Sequence, residues 1–238
     1  MPDITSSLFW VAVLQIIAID IMLGGDNAVV IALACRKLPE EQRRKGIFWG
    51  VMGAIVLRVI LIFFALQLLA LPYLKIVGAL LLLWIGVKLL IPEEDAHEGI
   101  DGGTTLFAAI KTIIVADAVM SLDNVIAVAG ASHGSIVLVT FGILVSIPIV
   151  VWGSKLVLTL MDKFPIVITL GAALLGWIAG GMMLTDPVVP ESVAKAVPYG
   201  NYVFAALGAL LVVAVGKFMA SRQMAAPAHE VTAKKTDQ

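Results

Sequence analysis

The sequence predicts an all-α polytopic membrane protein with seven transmembrane helices, arranged as two inverted three-helix repeats plus a C-terminal helix. Three observations carry this. Of 238 residues, 61% are hydrophobic and 14% charged, with a mean hydropathy of +1.04. A water-soluble domain is nearer ~45–50% apolar and ~25% charged. Seven stretches reach the roughly 20 apolar residues that a span requires. Two blocks of the chain also resemble one another in order and spacing.

The spans are Leu8–Ala34, Gly46–Leu69, Leu71–Ile91, Leu106–Ala131, Ile136–Leu160, Phe164–Leu184 and Tyr202–Ala220. They leave connections of at most 14 and 17 residues, too short for a soluble catalytic domain. The first apolar run is too long for a signal peptide, and Met1-Pro2-Asp3 lacks its basic start. The loop after the first span carries Arg36, Lys37, Arg43, Arg44 and Lys45, and the tail carries Lys217, Arg222, Lys234 and Lys235. Basic residues in short loops stay cytoplasmic. The expectation is therefore a multi-pass membrane protein with its N-terminus outside and its C-terminus in the cytoplasm. Residues 1–91 form the first repeat, 92–105 an acidic cytoplasmic linker and 106–184 the second repeat. An outer loop and the seventh helix fill 185–220, and 221–238 reads as a disordered tail.

The repeat rests on two matches. Asp20-x5-Asp26-Asn27 in the first span recurs as Asp117-x5-Asp123-Asn124 in the fourth. Pro72-x5-Gly78-Ala79-x4-Trp84-Ile85 in the third recurs as Pro165-x5-Gly171-Ala172-x4-Trp177-Ile178 in the sixth. Spans two and five align less clearly, their cations Arg58 and Lys155 coming into register only with a gap. Three spans per unit force the second copy to lie upside down, the architecture of many secondary transporters.

The balance of 16 basic and 17 acidic residues excludes the basic surface of a nucleic-acid binder. One cysteine, Cys35, excludes a disulfide scaffold, and His97, His133 and His229 are too scattered for a histidine cluster. What remains is four carboxylates at membrane depth, each costing about 2.5–3.5 kcal/mol to insert when ionised. Asp20, Asp26, Asn27, Asp117, Asp123 and Asn124 are accordingly the candidate metal ligands, since intramembrane carboxylates mark ion or proton paths. At 100° per residue Asp20 and Asn27 share a helix face and Asp26 points elsewhere. Convergence on one ion would be helped if Gly24-Gly25 opened the helix, an irregularity permitted at membrane depth around a site.

Carboxylate and amide oxygens suit Mg²⁺, Ca²⁺ or Mn²⁺. Thioether sulfur from Met22 and Met120 would favour Mn²⁺, although apolar packing explains these residues as well. Four carboxylates exceed the charge of one divalent ion, so exchange of metal for protons is expected. Arg58 is the candidate deep counter-ion, whereas Lys75, Lys88, Lys111 and Lys155 lie nearer span ends, where snorkelling accounts for them. Glu93, Glu94, Asp95, His97, Glu98 and Asp101 make a hydrophilic loop able to attract cations. His133 lies in a short turn and Cys35 reads as packing.

At Gly24-Gly25-Asp26-Asn27 and Ser121-Leu122-Asp123-Asn124 the sequence resembles the TerC family of integral membrane proteins, in its short YjbE-type branch, over about Phe9 to Met219. The resemblance implies a transporter-like fold, a metal site on helices 1 and 4 and export of manganese from the cytoplasm, without enzymatic activity or a resident cofactor. Its partners would be the metal ion, protons and the lipid bilayer, with no nucleic acid. Other readings are a metal sensor or resistance-complex subunit that binds without transport, a tellurite handler, and an intramembrane aspartyl protease. The last lacks its motif, since Leu23 stands where the first glycine of Gly-x-Gly-Asp belongs.

Overall fold

A computed structural model describes residues 7–64, 67–68, 71–91, 102–131, 136–190 and 199–225, with the side chains of Asp20, Met22, Asp123 and Asn124 outside the description. All regular structure among these residues is helical: α1 (Ser7–Cys35), α2 (Glu40–Phe63), α3 (Leu74–Leu90), α4 (Gly102–Ala131), α5 (Ile136–Lys163), α6 (Ile166–Met183) and α7 (Gly200–Ala225). Four stretches are long and apolar enough to cross a bilayer, namely Glu40–Phe63, Thr140–Lys163, Ile166–Met183 and Gly200–Arg222. Within α1 lie two shorter apolar stretches, Phe9–Ala18 and Gly25–Cys35.

Boundaries follow local chemistry. Pro39 starts α2 with fixed φ, and Glu40 and Glu41 complement the positive end of its dipole. The helix thus begins six residues before the apolar run, on its charged segment. α4 begins at Gly102, inside the expected linker, and α7 continues to Ala225, into the expected tail. The acidic segment 92–101, His133 and residues 226–238 lie outside the described residues.

One expectation is corrected. Neither Gly24-Gly25 nor Ser121-Leu122 opens its helix: α1 and α4 are continuous through them. An opened turn in apolar surroundings leaves bare N–H and C=O groups, so the uninterrupted hydrogen-bond ladder is the lower-energy solution.

Packing pairs α1 with α5 and α4, α2 with α4, and α3 with α6, while α7 lies against α6 and α3. The main core runs from Val30 to Leu38 on α1 and its following turn, through Leu82, Ile113, Met120 and Leu175, to Met182. Small residues set the closest approaches. A Cβ at Gly50 of α2 would stand 2.6 Å from Ile113 Cδ1 of α4. A Cβ at Gly180 or Gly176 of α6 would collide with the α7 backbone at Phe204 and Gly208. Gly176-x3-Gly180 is the small-residue spacing that lets membrane helices touch backbone to backbone.

Both ends of α3 are held from elsewhere. Asp186, in the turn after α6, accepts from the backbone N–H groups of Tyr73 (2.9 Å), Lys75 (3.0 Å) and Ile76 (3.3 Å), and from its own Val188 (2.9 Å). This carboxylate serves as the N-cap that α3 lacks locally, and it fixes Tyr73 at φ 66°, unusual for a side-chain-bearing residue. At the other end Arg36 donates to Leu89 O (2.8 Å) and Lys37 to Ile91 O (2.7 Å), placing cations at the negative end of the helix.

Candidate functional site

The polar residues that face inward meet where α1, α2, α4 and α5 adjoin. The glycines of α2 let α4 lie close enough for Arg58 to reach Asp117, about two turns beyond Gly50 on α2 and one turn beyond Ile113 on α4. Arg58 Nη2 is hydrogen-bonded to Asp117 Oδ1, and its Nε donates to Ser121 Oγ at 3.1 Å. Ser121, one turn along α4, donates to Asp117 Oδ2 at 3.4 Å. The Arg58 and Asp117 side chains are 12% and 8% exposed, so the pair is largely withdrawn from the surface.

From α1, Asn27 lines the same space and is buried, and Asp26 lies within electrostatic range of both Asp117 and Arg58. Asp26 Oδ1 and Asn27 Oδ1 are buried with no hydrogen-bond donor. Such atoms are rare in native proteins, because an unsatisfied buried acceptor costs about 1–3 kcal/mol. Each of these two oxygens is an acceptor that a cation could take as a ligand.

Beside Asn27 lies a cavity of about 30 Å³. One water needs roughly 10–15 Å³, so the space holds two or three waters, or a small ion that has shed most of its hydration shell. Asn27, Arg58, Asp117 and Ser146 supply its polar groups; Val30, Ile31, Val51, Ile113, Ile147 and Val150 supply apolar walls. On α1, α2 and α4 the apolar lining lies on the basic-loop side of the polar level, whereas on α5 it flanks Ser146 on both sides, with Ile143 on one and Ile147 and Val150 on the other.

Of the six residues singled out from sequence, the structure brings Asn27 and Asp117 to one cavity, while Asp26 lies within electrostatic range of Asp117 without lining that cavity. The side chains of Asp20, Asp123 and Asn124 fall outside the described residues. Among the described residues no group of three or more acidic, histidine or cysteine side chains is gathered. Arg58 does pair with a repeat carboxylate, as its depth suggested. Sequence reasoning missed Ser146, buried in α5 with its hydroxyl donating to Ile143 O at 2.8 Å. Its signal was a serine two residues before Pro148, whose missing N–H leaves the Leu144 carbonyl without its helical partner. Asp186 was missed too, and it is structural.

A helical bundle with a buried Arg58–Asp117 pair is matched by similarity to known proteins along nearly the whole chain. The profile described as "Integral membrane protein TerC family" matches residues 5–224. The chain belongs to the TerC family. Among its relatives, "Uncharacterized membrane protein YjbE" of Bacillus subtilis (strain 168) is 46% identical over 178 residues, 75% of this chain and 81% of that protein. "Uncharacterized membrane protein YceF" of the same organism is 28% identical over 185 residues, covering 74% and 72%. "UPF0053 protein YegH" of Escherichia coli (strain K12) is 25% identical over 230 residues, 87% of this chain but 42% of the longer relative. No solved structure matches the chain. This TerC protein is thus an integral membrane protein, and none of these names states a cargo.

Proposed function

We propose that this TerC protein is a secondary transporter that exports a divalent metal ion, Mn²⁺ foremost, from the cytoplasm in exchange for protons, through an oxygen site on α1 and α4. The observation that carries the reading is the pair of buried acceptors without donors, Asp26 Oδ1 and Asn27 Oδ1, on consecutive residues of α1, with Asn27 and Asp117 lining one small cavity. Neutral packing has no use for acceptors left bare at that cost. An all-oxygen donor set suits hard and borderline divalent ions. Asp20, Asp123 and Asn124 complete the proposed ligand set, and the protein acts as a carrier, without catalysis or a resident cofactor.

The helix pairing supports a seven-span, inverted-repeat architecture. Exchanging α1, α2, α3 with α4, α5, α6 maps the α1–α5 contact onto α2–α4, and maps α3–α6 and α1–α4 onto themselves. That is the pattern of two units related by a two-fold axis, with the site where the axis passes between α1 and α4. With the basic loop after α1 in the cytoplasm and the N-terminus outside, export would load the site from the basic-loop side.

Calorimetric titration of the purified protein with Mn²⁺ tests the site. Saturable binding lost in Asp26→Ala, with unchanged elution on gel filtration, is expected. Undiminished binding in Asp26→Ala would remove the site from α1. Binding by the wild type without any flux in vesicles would favour the sensor or resistance-complex reading.

A further inference from the structure

Arg58 is a permanent cation lodged in the centre of a site built for a cation. Its guanidinium is bonded to Asp117 and, at 3.1 Å, to Ser121 Oγ, and Ser121 in turn donates to Asp117 Oδ2 at 3.4 Å. Both Asp117 oxygens are therefore occupied, while Asp26 Oδ1 and Asn27 Oδ1 of the same site have no donor.

We propose that Arg58 is a built-in competitor for the transported ion, holding Asp117 when the site is empty and giving it up when the ion binds. The inference rests on the transporter reading above. Two positive groups cannot share the same carboxylate oxygens, so an ion that takes Asp117 as ligand must displace the guanidinium. The charges explain the use. Counting Asp26, Asp117 and Arg58 alone, with both carboxyls ionised, the group carries −1, whereas without Arg58 it carries −2 in a medium that penalises unpaired charge severely. Arg58 therefore reduces the number of protons the metal-free site must take up and lowers the barrier to its return. Its return to Asp117 also helps to expel the ion, trading affinity for turnover.

The test uses the full-length protein in proteoliposomes with Mn²⁺ as the only added metal. Arg58→Gln is expected to bind Mn²⁺ at least about tenfold tighter, as for a site occupied by its competitor roughly nine-tenths of the time. It should lose net efflux while retaining exchange of ⁵⁴Mn²⁺ for unlabelled Mn²⁺ across the membrane, which needs no empty return. Arg58→Lys, a cation without the planar fork, should fall between. A guanidinium with a purely structural role predicts weaker binding and parallel loss of both fluxes, and that result overturns the proposal. So does unchanged net efflux in Arg58→Gln. Should Arg58→Gln not fold, Ser121→Ala decides: loss of the second anchor should tighten Mn²⁺ binding, and unchanged or weakened binding contradicts the competitor. Wild type that binds no Mn²⁺ would defeat the transporter reading itself, and this inference with it.

Discussion

Asp117 and Arg58 show how a charge is kept inside a membrane protein: each is the other's solvation. Removing one partner leaves an uncompensated buried charge, so Asp117→Ala is expected to lose about 3–5 kcal/mol of stability. Arg58→Met combined with Asp117→Leu should recover most of that loss, since apolar replacements of a buried pair are often neutral, yet should carry no flux. Thermal unfolding in detergent, read beside vesicle flux, checks both halves. Asn27→Ala, which removes one orphan oxygen and little packing, should weaken Mn²⁺ binding while leaving unfolding nearly unchanged. Cys35→Ala should leave flux near normal, because Cys35 is buried among core side chains near the end of α1, two turns from Asn27. The carboxylates were legible in the sequence because ionisable residues in an apolar run have few explanations. Which of them Arg58 would meet was not, because spans two and five align only with a gap and the register is set by the Gly50–Ile113 contact between α2 and α4.

At the scale of elements, the helices were readable to within about six residues, since hydropathy over 20 residues averages out local noise, and four of them hold stretches long and apolar enough to cross a bilayer. The exceptions have physical causes. α2 starts early because Pro39, Glu40 and Glu41 make a good helix start in a charged segment. α1 stays continuous because apolar surroundings favour an intact ladder even at paired glycines. The cap of α3 could not be read at all, since its acceptor, Asp186, lies 113 residues from Tyr73. Burial raises the affinity of Asp186 for a proton, but the N–H groups of Val188, Tyr73, Ile76 and Lys75 outweigh it and hold the carboxyl below its ordinary value. A carboxyl whose folded pKa is depressed stabilises above its unfolded pKa, near 3.9, and loses that contribution as pH falls through the folded value. Asp186→Ala should therefore be less stable than wild type at pH 7, by about 1–3 kcal/mol for one charged acceptor, and the gap should close below roughly pH 4. Melting curves at pH 7 and pH 3.5 measure it. Where α6 meets α7, Gly180→Leu should separate the two helices, because its Cβ would strike the backbone at Phe204. Loss of a disulfide engineered between α6 and α7 would report the separation.

The described helices form a bundle whose polar residues gather where α1, α2, α4 and α5 adjoin, with α7 packed against α6 and α3. The repeat was visible in sequence only where chemistry or close packing fixes residue type, at the Asp-Asn pairs and at the glycines of α3 and α6. The orientation makes its own prediction. In a Cys35→Ser background, Thr185→Cys should react with a membrane-impermeant maleimide in intact cells, and Lys163→Cys only after permeabilisation; both positions are exposed. The opposite pattern would invert the topology and with it the direction of transport. The central claim, that Asp26 and its neighbours carry a divalent ion across the membrane, is tested most directly by ⁵⁴Mn²⁺ accumulation in inverted membrane vesicles energised with a proton gradient, comparing wild type with Asp26→Ala. Uptake that requires Asp26 and collapses with an uncoupler is the predicted result; equal uptake by the two proteins, or none by wild type that still binds the metal, would contradict it.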